Sequence, residues 1–261
     1  MKLSRIYNEL VNFVWADVKR PGQLKANADV VLNYFGDDTD IRTIDYKRVV
    51  DFVNHLKSKG VTGSTVNRKL SALSKMFTVA QRHDRRIMRP EIPRQPENKP
   101  RKRVLKDGEA EALINYPWKR DGHRWLVTLL MDTGVRPGEI VDGEWTIDGD
   151  TLTLLDTKNG DDRSITLTPE ALDAATKIKA AKRIHYSRFS AEFREARKAL
   201  GLDDVMPYTM RHSALTKLAE NTDNMILIQK WAGHKNLQTT QRYVKATKKG
   251  MDKLANVLRR T

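Results

Sequence analysis

Apolar residues recur at helical spacing through the first third of the chain. Leu3, Ile6, Leu10, Phe13 and Val14 mark one face within residues 3–18, and Pro21-Gly22 interrupts it. Ala28, Val31, Leu32 and Phe35 mark a second face that stops at Gly36. A third, Val49, Val50, Phe52, Val53 and Leu56, closes at Gly60, in the place after a helix where glycine is favoured. Thr62-Gly63-Ser64 reads as a turn, with Ser64 or Thr65 available as N-cap. The helix it opens turns Val66, Leu70, Leu73, Phe77 and Val79-Ala80 inward, and Asn67, Arg68, Lys69, Ser71 and Lys75 outward. The spacing predicts a small four-helix bundle over residues 1–87.

Residues 88–103 break every periodic pattern. Pro90, Pro93, Pro96 and Pro100 favour an extended, polyproline-like path, and the stretch carries Arg89, Arg94, Lys99, Arg101, Lys102 and Arg103. A basic connector is expected here. From 104 onward a second unit begins. A helix covers Ala110 to Ile114, and the run Trp125–Met131 is long enough for a buried helix that stops at Thr133-Gly134. Val135-Arg136-Pro137-Gly138-Glu139-Ile140 reads as a turn with a helix restarting at Pro137.

Residues 144–168 switch to alternation, with turns at Asp148-Gly149-Asp150 and Lys158-Asn159-Gly160-Asp161, which predicts about three antiparallel strands. Helical faces return with Leu172, Ala175 and Ile178, then Phe189, Phe193, Ala196 and Leu200, then Met210, Ala214, Leu215 and Leu218 after Pro207. Asp223 or Asn224 caps a further helix, Met225 to Trp231, that stops at Gly233 and leaves His234 exposed just past its end. The fold class is therefore mainly α with a small antiparallel β-sheet, in two domains. The expected boundaries are 1–87 for the helical bundle, 88–103 for the linker, 104–245 for the second domain and 246–261 for a tail helix carrying Met251, Leu254, Ala255 and Leu258.

Composition narrows the partner. Lys and Arg number 48 against 33 Asp and Glu, a formal net charge of +15, which points first to nucleic acid and then to an acidic membrane surface. The 261 residues contain no cysteine, so disulfides and thiolate metal sites are excluded and a reducing cytoplasm is expected. No apolar run approaches the roughly 20 residues of a membrane span. On the bundle, Arg68, Lys69 and Lys75 could follow a phosphate backbone while Asn67 or Ser71 reaches base edges, although a solvated helix face would carry the same charges.

The chemistry concentrates between Pro207 and Tyr243. Arg211, His234 and Tyr243 are the parts needed to cut a phosphodiester without metal. Arginine offers a charged planar fork for phosphate oxygens, histidine can hold a proton near neutrality, and a phenolic oxygen can become a covalent nucleophile. Met210-Arg211-His212-Ser213, Gly233-His234 and Thr239-Thr240-Gln241-Arg242-Tyr243 together resemble the C-terminal signature of the tyrosine recombinases, the phage integrase and Xer-like family of site-specific DNA recombinases. Thr133-Gly134-Val135-Arg136-Pro137-Gly138-Glu139 is similar to that family's TGxRxxE pattern. The helical residues 1–87 resemble its SAM-like core-binding domain more loosely, by position and pattern. No room remains for the further arm-binding domain of longer integrases, so contacts to distant arm sites are not expected.

The resemblance implies a mechanism. Arg136 and Arg211 clamp the scissile phosphate, Tyr243 attacks phosphorus to form a 3′-phosphotyrosine, Lys158 on the hairpin protonates the leaving 5′ oxygen, and His234 hydrogen-bonds the phosphate. Glu139 supports the site by orienting a neighbour such as Arg136, and His212 buttresses it. One position departs from the family: Tyr208 stands where histidine or lysine is usual, and a phenol can contact phosphate yet is a poor base at neutral pH.

The implied partners are double-stranded DNA, a homo-tetramer assembled on DNA from free monomers, and DNA-bending accessory proteins. The implied setting is the cytoplasm of a bacterial host, at the nucleoid. The connector, with Arg101, Lys102 and Arg103, would complete a clamp around DNA, and the tail would dock onto a neighbouring protomer. No metal or cofactor is expected. Two alternatives share the scaffold: a type IB topoisomerase-like nicking-closing enzyme, and a DNA-binding protein whose chemistry has lapsed.

Overall fold

The structure, a computed structural model, describes residues 1–18, 21–97, 103–155, 162–181, 183–222 and 224–243. The chain divides into two compact units, Met1–Pro100 and Arg101–Thr261. Among the described residues no helix is long and apolar enough to cross a membrane.

The first unit is helical. Helices α1 (Leu3–Glu9), α2 (Gly22–Phe35), α3 (Tyr46–Ser58) and α4 (Gly63–His83) bury one core that includes Leu3, Ile6, Val31, Phe52, Leu70 and Phe77. Gly36 and Gly60 end α2 and α3 with positive φ, the freedom their positions in the sequence suggested. Two expectations fail at the ends of helices. α1 passes into a π-helical turn, Leu10–Val14, in which the Trp15 N–H bonds the Leu10 carbonyl. The wider spacing shifts the side-chain phase, so Trp15 follows Leu10 into the core and Phe13 is left 76% exposed. At the start of α4 the cap is Thr62, whose hydroxyl bonds the Thr65 hydroxyl (3.0 Å), rather than Ser64 or Thr65.

A larger correction concerns Asn67, which was expected to face DNA. It is buried under residues 88–97, the described part of the basic connector, which lie along α4 within this unit. Asn67 Nδ2 donates to the Gln95 carbonyl (2.9 Å) and to Glu97 Oε1 (2.7 Å), while the Gln95 N–H donates to Asn67 Oδ1 (2.8 Å). One amide side chain thus satisfies both backbone groups of Gln95, as a strand neighbour would. Arg94 and Arg89 turn back to α4 hydroxyls, Ser71 and Ser74 (both 3.2 Å). Arg68 remains exposed on α4, and Lys69 and Lys75 are half-buried.

The second unit wraps helices around a small sheet. Helices α5 (Asp107–Asn115), α6 (Asp121–Thr133) and α7 (Pro137–Val141) lead into strands β1 (Glu144–Asp148), β2 (Thr151–Leu155) and β3 (Arg163–Thr166), antiparallel in the order β1-β2-β3. Trp145 pairs with Leu154 and Leu152 with Ile165, so their side chains form the buried face of the sheet. The expected hairpin tip, including Lys158, lies outside the described residues.

Helices α8 (Pro169–Ala180), α9 (Tyr186–Ala199), α10 (Pro207–Asn221), α11 (Met225–Ala232) and α12 (Leu237–Gln241) complete the unit. α6 runs through its centre and packs on α8 and α10. Beside it the buried Glu192 carboxylate accepts from His123 Nδ1 (2.7 Å) and from the Lys119 N–H, under Trp118, Phe189 and Phe193.

Replacing Asn67 with alanine strands the N–H and C=O of Gln95, which costs about 1–3 kcal/mol if they stay covered. Urea unfolding of Asn67→Ala should show a loss in that range, and trypsin should cut after Arg94, whose next residue is Gln95, faster than in wild type. Unchanged stability and unchanged cleavage would mean the connector is not held by this side chain.

Candidate active site

The C-terminal end of α11 gathers the site. Gly233 closes the helix in the left-handed region (φ +62°), and the last carbonyls have no donor within the helix. Three guanidinium groups from distant parts of the chain supply donors. Arg163 Nε bonds the Trp231 carbonyl (3.1 Å), Arg211 Nη2 the Ala232 carbonyl (2.7 Å) and Arg136 Nη2 the Gly233 carbonyl (3.4 Å). The partial negative charge at a helix C-terminus favours cations there.

Each arginine is delivered by its local structure. α6 ends at Gly134 (φ +67°), and Arg136 follows as the cap of α7, where Pro137 suits the first helical position. Arg211 lies one turn into α10, on the same buried face as Met210 and Ala214. Only 1% of it is exposed, and Nη1 bonds the carbonyl of Gly134 (2.7 Å). Its Nε is buried with no partner among the described residues. Burial, then the charge of Arg136, pushes the Arg211 guanidinium down to about 10, which leaves it charged at neutral pH.

Glu139 is the acidic centre. Its Oε1 accepts from Arg136 Nη1 (2.8 Å) and Arg163 Nη1 (2.9 Å), and its Oε2 from the Arg136 N–H (2.8 Å) and Arg163 Nη2 (2.7 Å). Burial alone would push this carboxyl up, but the bonds and charge of Arg163, with those of Arg136, hold it at about 2. Three cations therefore surround one carboxylate, and the excess positive charge suits a further anion.

His234 differs from the exposed histidine expected. It is 8% exposed because α12 folds back over it. Its Nε2 lies 3.0 Å from Arg211 Nη2 and its Nδ1 lies 2.9 Å from Thr240 Oγ1. Guanidinium can only donate, so Nε2 accepts, and Nδ1 carries the proton that Thr240 receives. Burial, followed by the charges of Arg211, Arg136 and Arg163, pushes the imidazole down to about 4. It is neutral at pH 7.

Tyr243 lies half-buried one turn beyond Thr240, to whose carbonyl its N–H donates (3.0 Å). Its ring is nearly parallel to that of His234 (9°, centroids 6.1 Å apart) and tilted on that of His212 (5.0 Å). Burial raises the phenol and the charge of Arg211 opposes the rise. Tyr208, 53% exposed in the first turn of α10, is within electrostatic reach of Arg136, Arg211 and Tyr243.

Arg136, Glu139, Tyr208, Arg211, His212, His234 and Tyr243 thus share one neighbourhood. Arg103 does not join it. Expected to contact DNA, Arg103 is instead held by Glu109 and Asp204 (2.8 Å each), two carboxylates of its own unit. Lys158, Arg101 and Lys102 lie outside the described residues. Two residues were missed. Thr240 stands in the signature as a mere helix former. Arg163 shares a strand face with Ile165 and Leu167, and that alternation is the signal that would have placed it inward.

Acid should weaken this packing. The unfolded imidazole titrates near 6.5 and the folded one near 4, so the unfolded state binds more protons between those values and stability falls as pH drops through them. The His234 ring should keep its neutral NMR signature, with the proton on Nδ1, down to about pH 4. A midpoint near 6.5 would show that the ring is free of Arg211.

Known proteins share this architecture. Residues 103–249 match the phage integrase family, and residues 27–84 match the N-terminal SAM-like domain of phage integrases. Tyrosine recombinase XerA of Saccharolobus solfataricus is 24% identical over 258 residues, covering 91% of this chain and 87% of that protein. The shufflon-specific DNA recombinase of Escherichia coli is 25% identical over 265 residues, covering 93% of this chain and 68% of its own. The Tn1549 transposon integrase, solved in complex with transposon right end DNA, has the same fold with a TM-score of 0.77 at 17% identity over 99% of both chains. With the catalytic family matched over 103–249 and its companion domain over 27–84, this chain belongs to the phage integrase family.

Proposed function

We propose that this member of the phage integrase family, a site-specific DNA recombinase that cuts and rejoins strands through a tyrosine, uses Tyr243 as its nucleophile. Arg136 and Arg211 bind the nonbridging oxygens of the scissile phosphate. The observation that carries the reading is the convergence of three guanidinium groups and one carboxylate beside the Tyr243 ring. Preorganised donors of this kind stabilise the charge of a pentacoordinate transition state, and Arg211, 1% exposed, is uncovered as the phosphate enters.

In the forward step the Tyr243 oxygen forms a bond to phosphorus and gives up its proton to water, while the bond from phosphorus to the 5′ oxygen breaks. Lys158 protonates that leaving oxygen, the role the family resemblance implies for it. The guanidinium charges ease ionisation of a phenol that burial would otherwise keep protonated. The phosphotyrosine link keeps the bond energy, so a new 5′-hydroxyl can displace it without ATP. His234 enters by holding Arg211 and α12 together. A bond from His234 to phosphate requires giving up Arg211 or Thr240. Tyr208, exposed at the rim, is a phosphate contact, and Arg68, Lys69 and Lys75 on α4 face the DNA backbone.

The active assembly is a tetramer on two duplexes. A groove of about 680 Å³ between β3 and α11, with exposed Ile226 and Leu227 on its wall, supports it by offering an apolar seat for a neighbour's C-terminal residues. Leu227→Asp should leave binding to a single site unchanged and abolish the paired complex in native gels. Pairing at wild-type level would remove this groove from the interface.

The chemistry is tested on a nicked suicide duplex built from a core site selected by the protein out of random sequence. Wild type should accumulate a covalent adduct and Tyr243→Phe none, while Arg136→Ala and Arg211→Ala slow its formation by about a hundred- to a thousand-fold. No adduct with wild type would favour a DNA-binding protein of lapsed chemistry. Supercoil relaxation without strand exchange between duplexes would favour a topoisomerase-like enzyme.

A further inference from the structure

We infer that Arg163 is a positioning residue for strand cleavage: by occupying one whole edge of the Glu139 carboxylate, it keeps Arg136 available to the scissile phosphate. The inference rests on the proposed role of Arg136.

The geometry is that of a filled acceptor. A carboxylate has about four lone-pair positions. Arg136 takes two of those on Glu139, one with its backbone N–H and one with Nη1, and Arg163 takes two with Nη1 and Nη2. The Arg163 pair is a parallel fork, the strong form of this contact. Its side chain is 7% exposed and that of Glu139 10%, so water does not readily replace it. Without Arg163, a buried carboxylate would keep two empty acceptor positions, and the nearest cation is Arg136. Its guanidinium would rotate to give Glu139 a second N–H, closing the fork on protein instead of phosphate. The cluster would also lose one of its three positive charges.

The surroundings are shaped for this arginine. Arg163 opens β3 opposite Leu154, on the face that buries Ile165, so its side chain points beneath the sheet rather than to solvent. Its Nε is fixed on the Trp231 carbonyl (3.1 Å). A Cβ on residue 233 would stand 2.7 Å from Arg163 Nη1, so glycine there leaves the guanidinium its path. The arginine therefore ties the strand that follows the hairpin to both Glu139 and the end of α11.

A charge argument separates this role from plain packing. If the harm in Arg163→Met comes from an unneutralised Glu139 capturing Arg136, then removing that charge should repair it. On the nicked duplex under single-turnover conditions, Arg163→Met should slow adduct formation by about ten- to a hundred-fold while DNA affinity changes by less than about three-fold. Adding Glu139→Gln should recover about ten-fold of that rate, an interaction of opposite sign to the additive loss expected of two structural defects. Thermal melts identify a variant that fails to fold. In that case Arg163→Gln, which removes the charge and the fork together, is compared with and without Glu139→Gln, and the same recovery is expected. Wild-type rates in Arg163→Met, or a double variant no faster than the single, would overturn the inference. An adduct absent even from wild type would bring down the parent reading and this one with it.

Discussion

The second unit depends on how buried guanidinium groups are made tolerable. An arginine that is 1% exposed lacks nearly all its water, and such a charge persists only where hydrogen bonds replace the solvent. Arg211 finds them in carbonyls that two helices leave open at their ends, Gly134 after α6 and Ala232 at the close of α11. The helix ends need donors as much as the arginine needs acceptors. Each deficit answers the other, and the result is a cation held in one orientation. Its Nε, without a partner among the described residues, shows that the described protein groups stop short of full satisfaction. An anion entering the site therefore meets a charge that is neither hydrated nor fully compensated, the condition under which electrostatic interactions are strongest.

The positions of Arg136, Arg211, His234 and Tyr243 were legible because each sits at a helix boundary with local punctuation. Gly134 and Pro137 frame Arg136, Pro207 opens the helix of Arg211, and Gly233 precedes His234. Their surroundings were less legible, since those depend on residues far away in sequence. His234 looked exposed because nothing near it predicts that Thr240 will return to Nδ1. Asn67 looked like a surface amide because its partner, Gln95, comes from a proline-rich stretch that reads as open connector. Phe13 was misassigned for a subtler reason. A single π-turn changes the helical phase, and apolar spacing alone cannot show where that happens.

Net charge is also a poorer guide to free cations than it looked. The formal +15 counts Arg103 and Arg163 with the rest. Yet Arg103 is paired with Glu109 and Asp204, and Arg163 with Glu139. Arg89 and Arg94 lean on serine hydroxyls of α4. The basic connector thus has a structural role in the first unit over the residues described. Among the described residues Arg68 stays exposed on α4, while Arg136 and Arg163 share the Glu139 carboxylate. Composition identifies the class of partner, and hydrogen-bond partners decide which arginines are left to meet it.

Two glycines carry a constraint that no other residue in the site could meet. Gly134 and Gly233 each adopt positive φ to end a helix, and each lies against a neighbour that would have to shift for a side chain. A Cβ on residue 134 would come 3.0 Å from the Cβ of Ala214 on α10, a contact that α10 relieves only by shifting a few tenths of an ångström from α6. On residue 233 it would meet the guanidinium of Arg163 at 2.7 Å. Either substitution would combine backbone strain with displacement of an arginine, although neither glycine offers a chemical group of its own. The spacing of the charges around Glu139 is therefore written in part by atoms that are absent. That is why the arginine and tyrosine positions could be read from the chain, while the distances among them had to come from the fold.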